Sequence, residues 1–296
     1  MQCINKIGTQ SESEGHKITK EFIDSCWHDD VNQYNNLAYD RSHLKDLGPI
    51  LLKEQSDCDG NSYCCYCMRR LFLTDGDGHS GNVTFEHIIP QNIKREEWEQ
   101  DKDKYLQFQN LREEYITICY DGTLTDEQKA NKMTGMPYPH FVSYHNIVAS
   151  CDGSTFEKDK PKKSCCCNNC RQERFVMPLY LSRELVDGIG YTNDGKLDYD
   201  DSVYDSCWFD DNHLRLTNAW ITTVRKMWYK ISQSDYSDKD VDKARNDEEL
   251  RQMIIDDIDS NNEILSWNNN SMVWNLFSEY SWFYQYYKNI QIIEYN

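Results

Sequence analysis

Apolar residues recur at three- and four-residue spacing in several stretches of the chain, and this pattern predicts a mainly helical protein. The first two helices are predicted at 17–27 and 43–55, the second with a break or kink at Gly48-Pro49. A charged and broadly helical segment follows at 93–120. These segments predict helices through much of the N-terminal half.

The C-terminal half shows the same periodicity. Helices are predicted at 179–188, 212–231 and 247–258, and the turn at 193–195 predicts a β-hairpin between the first two. The last stretch, 271–295, carries one helical stripe of apolar and aromatic residues, with further aromatic residues on the other face. It is therefore predicted to be either a helix of the core or a helix that docks on a partner.

A non-helical segment at 63–91 holds the first group of reactive side chains. Cys64-x-x-Cys67 lies at a chain reversal, and a short strand further on ends in Glu86-His87. An imidazole can accept a proton near neutral pH without a strongly perturbed pKa. His87 is therefore the candidate general base, with a carboxylate beside it in the sequence.

A second such segment at 145–178 holds the remaining candidates. Asn146 is followed five residues later by Cys151, and a lysine-rich stretch separates these from Cys167-Asn168. Cysteines are clustered in both segments. In a chain without an export signal, such clusters bind metal more often than they form disulfides. A metal site between the two segments is predicted.

The composition of the chain favours neither a membrane protein nor a secreted protein. The chain has 296 residues, 28% of them charged, and a mean hydropathy of −0.83. No apolar run approaches the roughly 18–20 residues that span a bilayer, and the first residues lack a secretory signal, so a cytoplasmic protein is expected. The cysteines expected to be ordinary thiols are Cys3, Cys26, Cys119 and Cys207, whereas Cys58 and Cys65 could compete as metal ligands.

The formal net charge of −18 has the wrong sign for binding nucleic acid unaided. Basic residues are nevertheless concentrated in or beside the second segment. The candidate nucleic-acid-binding residues are Lys160, Lys162, Lys163, Arg171 and Arg174. Either the chain borrows affinity for DNA from a partner, or its acidity only aids solubility.

The order C-x-x-C, acidic-His, Asn-x4-Cys, then Cys-Asn-x-x-basic resembles the HNH nuclease motif of the ββα-metal kind. The resemblance implies an α+β fold, in which a mainly helical chain is built around a small zinc-stapled ββα-metal (HNH) core. This sequence departs from compact members, because 22 residues separate Asn146 from Asn168 and include an insertion of about thirteen.

The resemblance also implies a structural zinc ion held by four thiolates. The preferred ligands are Cys64, Cys67, Cys151 and Cys167, because Asn168 and Arg171 then fall in the family's places. The insertion leaves alternatives open. Cys170 replaces Cys151 in the main rival set, and Cys165 or Cys166 could also complete the site.

Catalytic roles follow from the same resemblance. His87 is the general base, and Glu86 and Asn168 are ligands of a catalytic Mg2+ or Mn2+ ion. Asn146 is expected to tie the His-bearing loop by hydrogen bonds without touching the substrate. His140 and His145 are expected to be loop or packing histidines.

A closer likeness extends beyond the motif. The segments LLKEQSDCDGNSYCCYCMRRL, VTFEHIIPQ, HNIVASC, CNNCRQERFVMPL and DNHLRLTNAWITTVRKMW resemble the HNH nucleases of Septu and retron-associated systems (PtuB-like). The likeness covers roughly 44–90 and 144–230, and departs at Met68 and Arg171. It implies an antiviral (antiphage) defence role, in which the endonuclease cleaves nucleic acid, most simply DNA, in complex with an ABC-type ATPase (PtuA-like) subunit.

The predicted organisation has three regions. A helical region covers 1–62, the HNH core covers 63–180 with a helical insertion at 92–140, and a helical region with an aromatic tail covers 181–296. Two other functions remain open. One is a stand-alone restriction-type HNH nuclease, and the other is a catalytically inactive zinc-stapled binding or adaptor module.

Overall fold

The computed structural model describes most of the chain. The described residues are 1–26, 42–73, 81–108, 111, 123–125, 128, 140–157, 160–164, 166–171, 174–210, 213–259 and 271–294. They form helices and small antiparallel sheets, which confirms the predicted mixed α+β class. Much of the helical insertion predicted at 92–140 lies outside them. No helix in the described ranges is both long and apolar enough to cross a membrane.

The helices are numbered here in chain order. They are α1 (Gln10–Cys26), α2 (Leu44–Glu54), α3 (Arg95–Leu106), α4 (Asn168–Arg171), α5 (Arg183–Asp187), α6 (Ala219–Gln233), α7 (Asp238–Lys243), α8 (Glu248–Ile258), α9 (Ser271–Ser278) and α10 (Trp282–Glu294). Short 3-10 helices lie at Tyr144–Asn146, Leu179–Leu181 and Ser206–Trp208.

The strands pair two by two in antiparallel fashion. The pairs are β1 (Ser62–Tyr63) with β2 (Arg70–Leu71), β3 (Val83–His87) with β4 (Ile147–Cys151), β5 (Thr155–Glu157) with β6 (Lys160–Ser164), and β7 (Gly190–Tyr191) with β8 (Leu197–Asp198). The β7–β8 hairpin was predicted from its turn, and Gly195 has the left-handed backbone conformation that such a turn needs, with φ +83°.

One continuous cluster of buried apolar residues extends through the described chain. It includes members from all three predicted regions, such as Leu51, Val148 and Phe283. Helix α10 packs along α6, and α1 packs both on α2 and on the 3-10 helix before β4. The described parts of the regions therefore share a core.

Two predicted helix starts were wrong for local reasons, and the interruption predicted at Gly48-Pro49 is not a break. Helix α1 begins at Gln10 instead of residue 17, because the Thr9 hydroxyl accepts a hydrogen bond from the Glu12 amide and starts the helix earlier. Helix α2 continues through Pro49, so the chain does not break there, and its apolar face is buried in the core. Helix α6 begins at Ala219, since the Asn218 side chain caps it.

The aromatic tail at 271–295 is not one helix. It breaks between α9 and α10, where Glu279 and Tyr280 turn towards the cysteine-bearing segment. The apolar stripe that could have docked on a partner is instead buried within the chain at Val273, Leu276, Phe277, Tyr280, Phe283 and Tyr287, and its remaining member, Tyr284, is half-buried. The stripe is therefore part of the core.

Replacing Gly15 with alanine is expected to destabilise the protein, although alanine favours helices. A Cβ atom at Gly15 of α1 would lie 2.3 Å from Cδ2 of Tyr144, a ring with no exposed surface. Overpacking of this kind costs about 1–3 kcal/mol. Urea unfolding should therefore shift to lower concentration for Gly15→Ala. Ser13→Ala, on the exposed face of α1, is the control, and an equal midpoint for both variants would contradict the prediction.

Candidate metal centre and catalytic site

The first two candidate ligands lie on a tight reversal between β1 and β2. Cys64 and Cys67 are fully buried, and the chain turns back because the Met68 amide donates to the Cys64 carbonyl at 3.2 Å. The Cys64 amide in turn donates to the Arg69 carbonyl at 2.8 Å. Met68 has φ +62°, a left-handed conformation that a non-glycine residue keeps only when its surroundings enforce it. The reversal points both sulfurs inwards.

The other two ligands come from the second segment. Cys151 ends β4, and Cys167 immediately precedes α4 with φ +56°. The β5–β6 hairpin fills the insertion that separates them in the sequence. Gly153 lets the chain return, because a Cβ atom there would lie 2.5 Å from the Cys166 carbonyl oxygen. Cys151 and Cys167 therefore lie close together in space, although the insertion separates them in the sequence.

The sulfurs of Cys64, Cys67, Cys151 and Cys167 all lie within 4.8 Å of one another. The Cys64–Cys167 and Cys67–Cys151 pairs are 3.9 and 3.7 Å apart. Four zinc–sulfur bonds of about 2.3 Å in a tetrahedron place the sulfurs about 3.8 Å apart. These four buried cysteines could therefore hold a metal such as zinc.

The alternatives left open by the sequence are placed differently, apart from Cys165, which lies outside the described residues. Among the described residues, the group of four sulfurs includes Cys151 and not Cys170, which forms a disulfide. Cys166 is buried beside the group, with its sulfur 3.4 Å from that of Cys167. The preferred set is thus the one that the structure brings together.

The thiols of this cluster influence one another's protonation. Burial raises the pKa of Cys67 and of Cys167 well above the usual range. Burial acts in the same direction on Cys64, but hydrogen bonds from neighbouring thiols outweigh it and lower the pKa of Cys64 well below its usual range. Binding of a divalent cation to four thiolates would therefore release protons.

His87 is the last residue of β3, opposite Ile147 of β4, and only 9% of it is exposed. Its Nε2 atom lies 3.0 Å from the carbonyl oxygen of Phe141. A carbonyl oxygen only accepts hydrogen bonds, so Nε2 carries the proton and Nδ1 carries the lone pair in the neutral ring. The backbone thus fixes the tautomer in which Nδ1 is the basic atom.

Glu86 points away from His87, as alternation along a strand requires. Its carboxylate forms an ion pair with Nη1 of Arg171, and both side chains are almost fully buried. The Tyr66 hydroxyl lies 3.4 Å from the same carboxylate oxygen. This arrangement does not fit Glu86 as a ligand of a catalytic Mg2+ ion, because its charge is already neutralised.

Arg171 was expected to bind nucleic acid, and the structure places it elsewhere. Besides Glu86, its guanidinium donates hydrogen bonds to the carbonyl oxygens of His87 at 2.9 Å, Ile88 at 2.7 Å and Arg174 at 3.0 Å. Arg171 therefore joins α4 to the end of β3 from a buried position. A phosphate cannot reach it without opening this contact.

Asn146 connects the loops around His87. Its side chain donates to the carbonyl oxygens of Ile89 and His140, each at 2.9 Å, and accepts from the Ile89 amide at 2.8 Å. The side chain is fully buried, so its contacts are with the protein backbone. Asn168 begins α4 and is partly exposed.

Three of the expected nucleic-acid-binding residues lie on the second strand of the β5–β6 hairpin. Lys160, Lys162 and Lys163 belong to β6, whose partner strand β5 begins four residues after Cys151. Arg174 lies beyond α4 and is exposed. The structure therefore places three of the five candidate basic residues on one short hairpin next to the thiolate cluster.

Two supporting residues were missed by the sequence analysis. The Gln55 side chain, at the end of α2, donates to the Tyr63 and Ala149 carbonyl oxygens at 2.8 and 2.9 Å and accepts from the Ala149 amide at 2.8 Å. Arg69 follows the cysteine reversal and pairs with Glu279 at 2.5 Å. Gln55 and Arg69 both lie within the segment LLKEQSDCDGNSYCCYCMRRL, but the sequence offers no local signal for the contacts of either residue.

Comparisons with known proteins add no identification. No family model matches the sequence, and neither the curated proteins nor the solved structures give a match. The site is therefore interpreted from its own residues: a buried four-thiolate cluster that could hold zinc, next to a histidine whose tautomer is fixed.

Proposed function

We propose that this chain is an HNH-type endonuclease that hydrolyses phosphodiester bonds in nucleic acid, most simply DNA. The observation that carries the proposal is the assembly of β3, β4 and α4 around four buried sulfurs, with His87 at the end of β3. The fixed tautomer of His87 supports the role of general base, in which Nδ1 accepts the proton of an attacking water.

Charge supports a role within a complex. A net charge of −18 repels a polyanion, and Arg171, one of the expected phosphate ligands, is buried in an ion pair. The proposal therefore includes a partner that supplies affinity for DNA. The likeness of 44–90 and 144–230 to Septu and retron-associated nucleases favours an ABC-type ATPase as that partner, and an antiphage defence role.

One observation favours a second candidate, a zinc-stapled binding module without catalysis. Glu86 is neutralised by Arg171, so the carboxylate is not available to a catalytic metal ion as it stands. In the nuclease proposal, Glu86 must leave its ion pair with Arg171 before it can bind a catalytic divalent ion. In the binding-module alternative, the ion pair is permanent and serves only packing.

Replacing His87 with alanine is expected to lower DNA cleavage by about 100- to 10,000-fold, the usual contribution of a general base. The assay follows nicking of a supercoiled plasmid with Mg2+ or Mn2+, with and without a PtuA-like ATPase. Mg2+ is omitted in the negative control, since a chelator would also remove structural zinc. His213→Ala, a histidine outside the site, is the matched variant.

Zinc content and circular dichroism establish that His87→Ala is folded. Cleavage by wild type that survives in His87→Ala would exclude His87 as the base. If wild type fails to cleave under every condition while zinc stays bound, the binding-module candidate replaces the nuclease. Sequence-specific cleavage without any ATPase would instead indicate a stand-alone enzyme.

A further inference from the structure

A second group of metal-ligating side chains lies between α1 and the 3-10 helix that precedes β4. Glu12 and His16 are four residues apart on α1 and therefore share a face. His145 belongs to the 3-10 helix and is 5% exposed. One ligand atom from each of the three lies within 4.8 Å of the others.

The distances within this group suit a single ion. His145 Nε2 is 2.7 Å and His16 Nε2 is 3.8 Å from the Glu12 Oε1 atom. Metal–ligand bonds of about 2.0 Å in a tetrahedron place ligand atoms about 3.3 Å apart, which lies between these two values. The two imidazole rings meet edge to face, with centroids 4.7 Å apart. Small shifts of these three side chains would thus bring all three ligand atoms to bonding distance from one ion.

The surroundings hold the carboxylate and the helix in this position. The Gly8 amide donates to Glu12 Oε2 at 2.7 Å, which leaves Oε1 facing the imidazoles. Gly15 lets α1 approach the Tyr144 ring more closely than a residue with a Cβ atom could. Contacts that orient the ligands in this way are typical of metal sites.

Neighbouring charge does not oppose a cation here. Lys6 lies over the Tyr144 ring, 4.0 Å from its centroid, but its ammonium is paired with Glu54 at 3.1 Å. Glu54 offsets the charge of Lys6, and the carboxylate of Glu12 is the charged group in direct contact with His145. Two imidazoles and one carboxylate, with a fourth position left for water or another ligand, form a donor set that zinc accepts.

We propose that Glu12, His16 and His145 form a second metal site, for Zn2+ or a divalent ion of similar preference, that links α1 to the strand pair carrying His87. His145 directly precedes Asn146, whose side chain holds the loop after β3. An ion bound here therefore fixes α1 against the segment that orients His87. The site is separate from the four-thiolate cluster and does not depend on nuclease activity.

The test is a titration of full-length protein that already holds one zinc ion per chain. Co2+ is added, and its binding is followed by equilibrium dialysis and by absorption. Wild type is expected to bind one more Co2+ ion than His16→Ala does, without a thiolate-to-cobalt charge-transfer band. His16→Ala is expected to lose this second ion. The bound ion should also raise the melting temperature of wild type and not that of His16→Ala.

The chain offers a matched control. His213 is 20% exposed and lies 3.7 Å from Asp210, whereas the His16 side chain is 19% exposed and lies 3.8 Å from Glu12. His213→Ala should bind the second Co2+ as wild type does. Glu12→Gln is the second variant, because its amide oxygen preserves a hydrogen bond to His145 while the charge is removed. It should also lose the ion.

Three results would overturn the proposal. They are the absence of a second Co2+ in wild type, undiminished binding in His16→Ala or Glu12→Gln, and a charge-transfer band showing that thiolates hold the second ion. Because the readout is metal binding, failure of this proposal is distinguishable from failure of the nuclease proposal.

Discussion

Replacing Cys151 with serine is expected to abolish zinc binding and to unfold the region around the four thiolates. Structural zinc supplies about 10–16 kcal/mol in zinc-finger peptides, which equals or exceeds the whole stability of a typical protein, about 5–15 kcal/mol. β1 to β4 are strands of two to five residues, too short to hold this region without the ion. Metal analysis of purified protein should give one zinc ion per chain fewer for Cys151→Ser than for wild type.

The chain offers two controls for this experiment. Cys58 is exposed, so Cys58→Ser should retain zinc and stability. Cys166 is buried beside the cluster but outside the group of four sulfurs, so Cys166→Ser should also retain zinc. Loss of zinc in Cys166→Ser, with zinc retained in Cys151→Ser, would overturn the ligand assignment.

Replacing Arg171 with alanine is expected to destabilise the protein by about 3–5 kcal/mol, because it leaves the buried Glu86 carboxylate without its partner. Three backbone carbonyl oxygens lose their donor at the same time. Chemical unfolding, followed by fluorescence, measures the loss. The double variant Arg171→Met with Glu86→Gln should recover part of it, since no unpaired charge remains buried.

Arg174→Ala is the matched control for this prediction. Arg174 is three residues further along and exposed, so its loss should change stability by no more than about 0.5 kcal/mol. Equal unfolding midpoints for the two single variants would show that Arg171 does not stabilise Glu86. If Arg171→Ala weakens DNA binding while stability is unchanged, the original expectation of a phosphate ligand is restored.

The parts of the site that the sequence predicted are those defined within short segments. The C-x-x-C spacing places Cys64 and Cys67 on one reversal, and the five-residue spacing of Asn146 and Cys151 spans a single strand. These spacings are set within a single reversal and a single strand, so they do not depend on how the rest of the chain folds. The choice of Cys151 and Cys167 as the other two ligands came from the resemblance to HNH nucleases, and the structure groups these same four cysteines together.

The parts that were missed depend on contacts between distant segments. Arg171 finds Glu86, 85 residues earlier, only after α4 packs on β3, and nothing near Arg171 in the sequence indicates burial. The β5–β6 hairpin was missed because lysine-rich sequence is unfavourable in strands. Glu12 and His16 carry a visible four-residue spacing, but only tertiary packing brings His145 to them.

The ion pair between Arg69 and Glu279 has a consequence for synthesis of the chain on the ribosome. These residues are 210 positions apart, and the Tyr280 hydroxyl lies 3.9 Å from the sulfur of Cys67. Long-range contacts form only after both segments have been made. A nascent chain that has emerged only as far as residue 270 carries all four zinc ligands and Asp152, which also pairs with Arg69, but it lacks Glu279 and Tyr280. The nuclease proposed above would therefore complete its cysteine-bearing region only after residues 271–280 have left the ribosome.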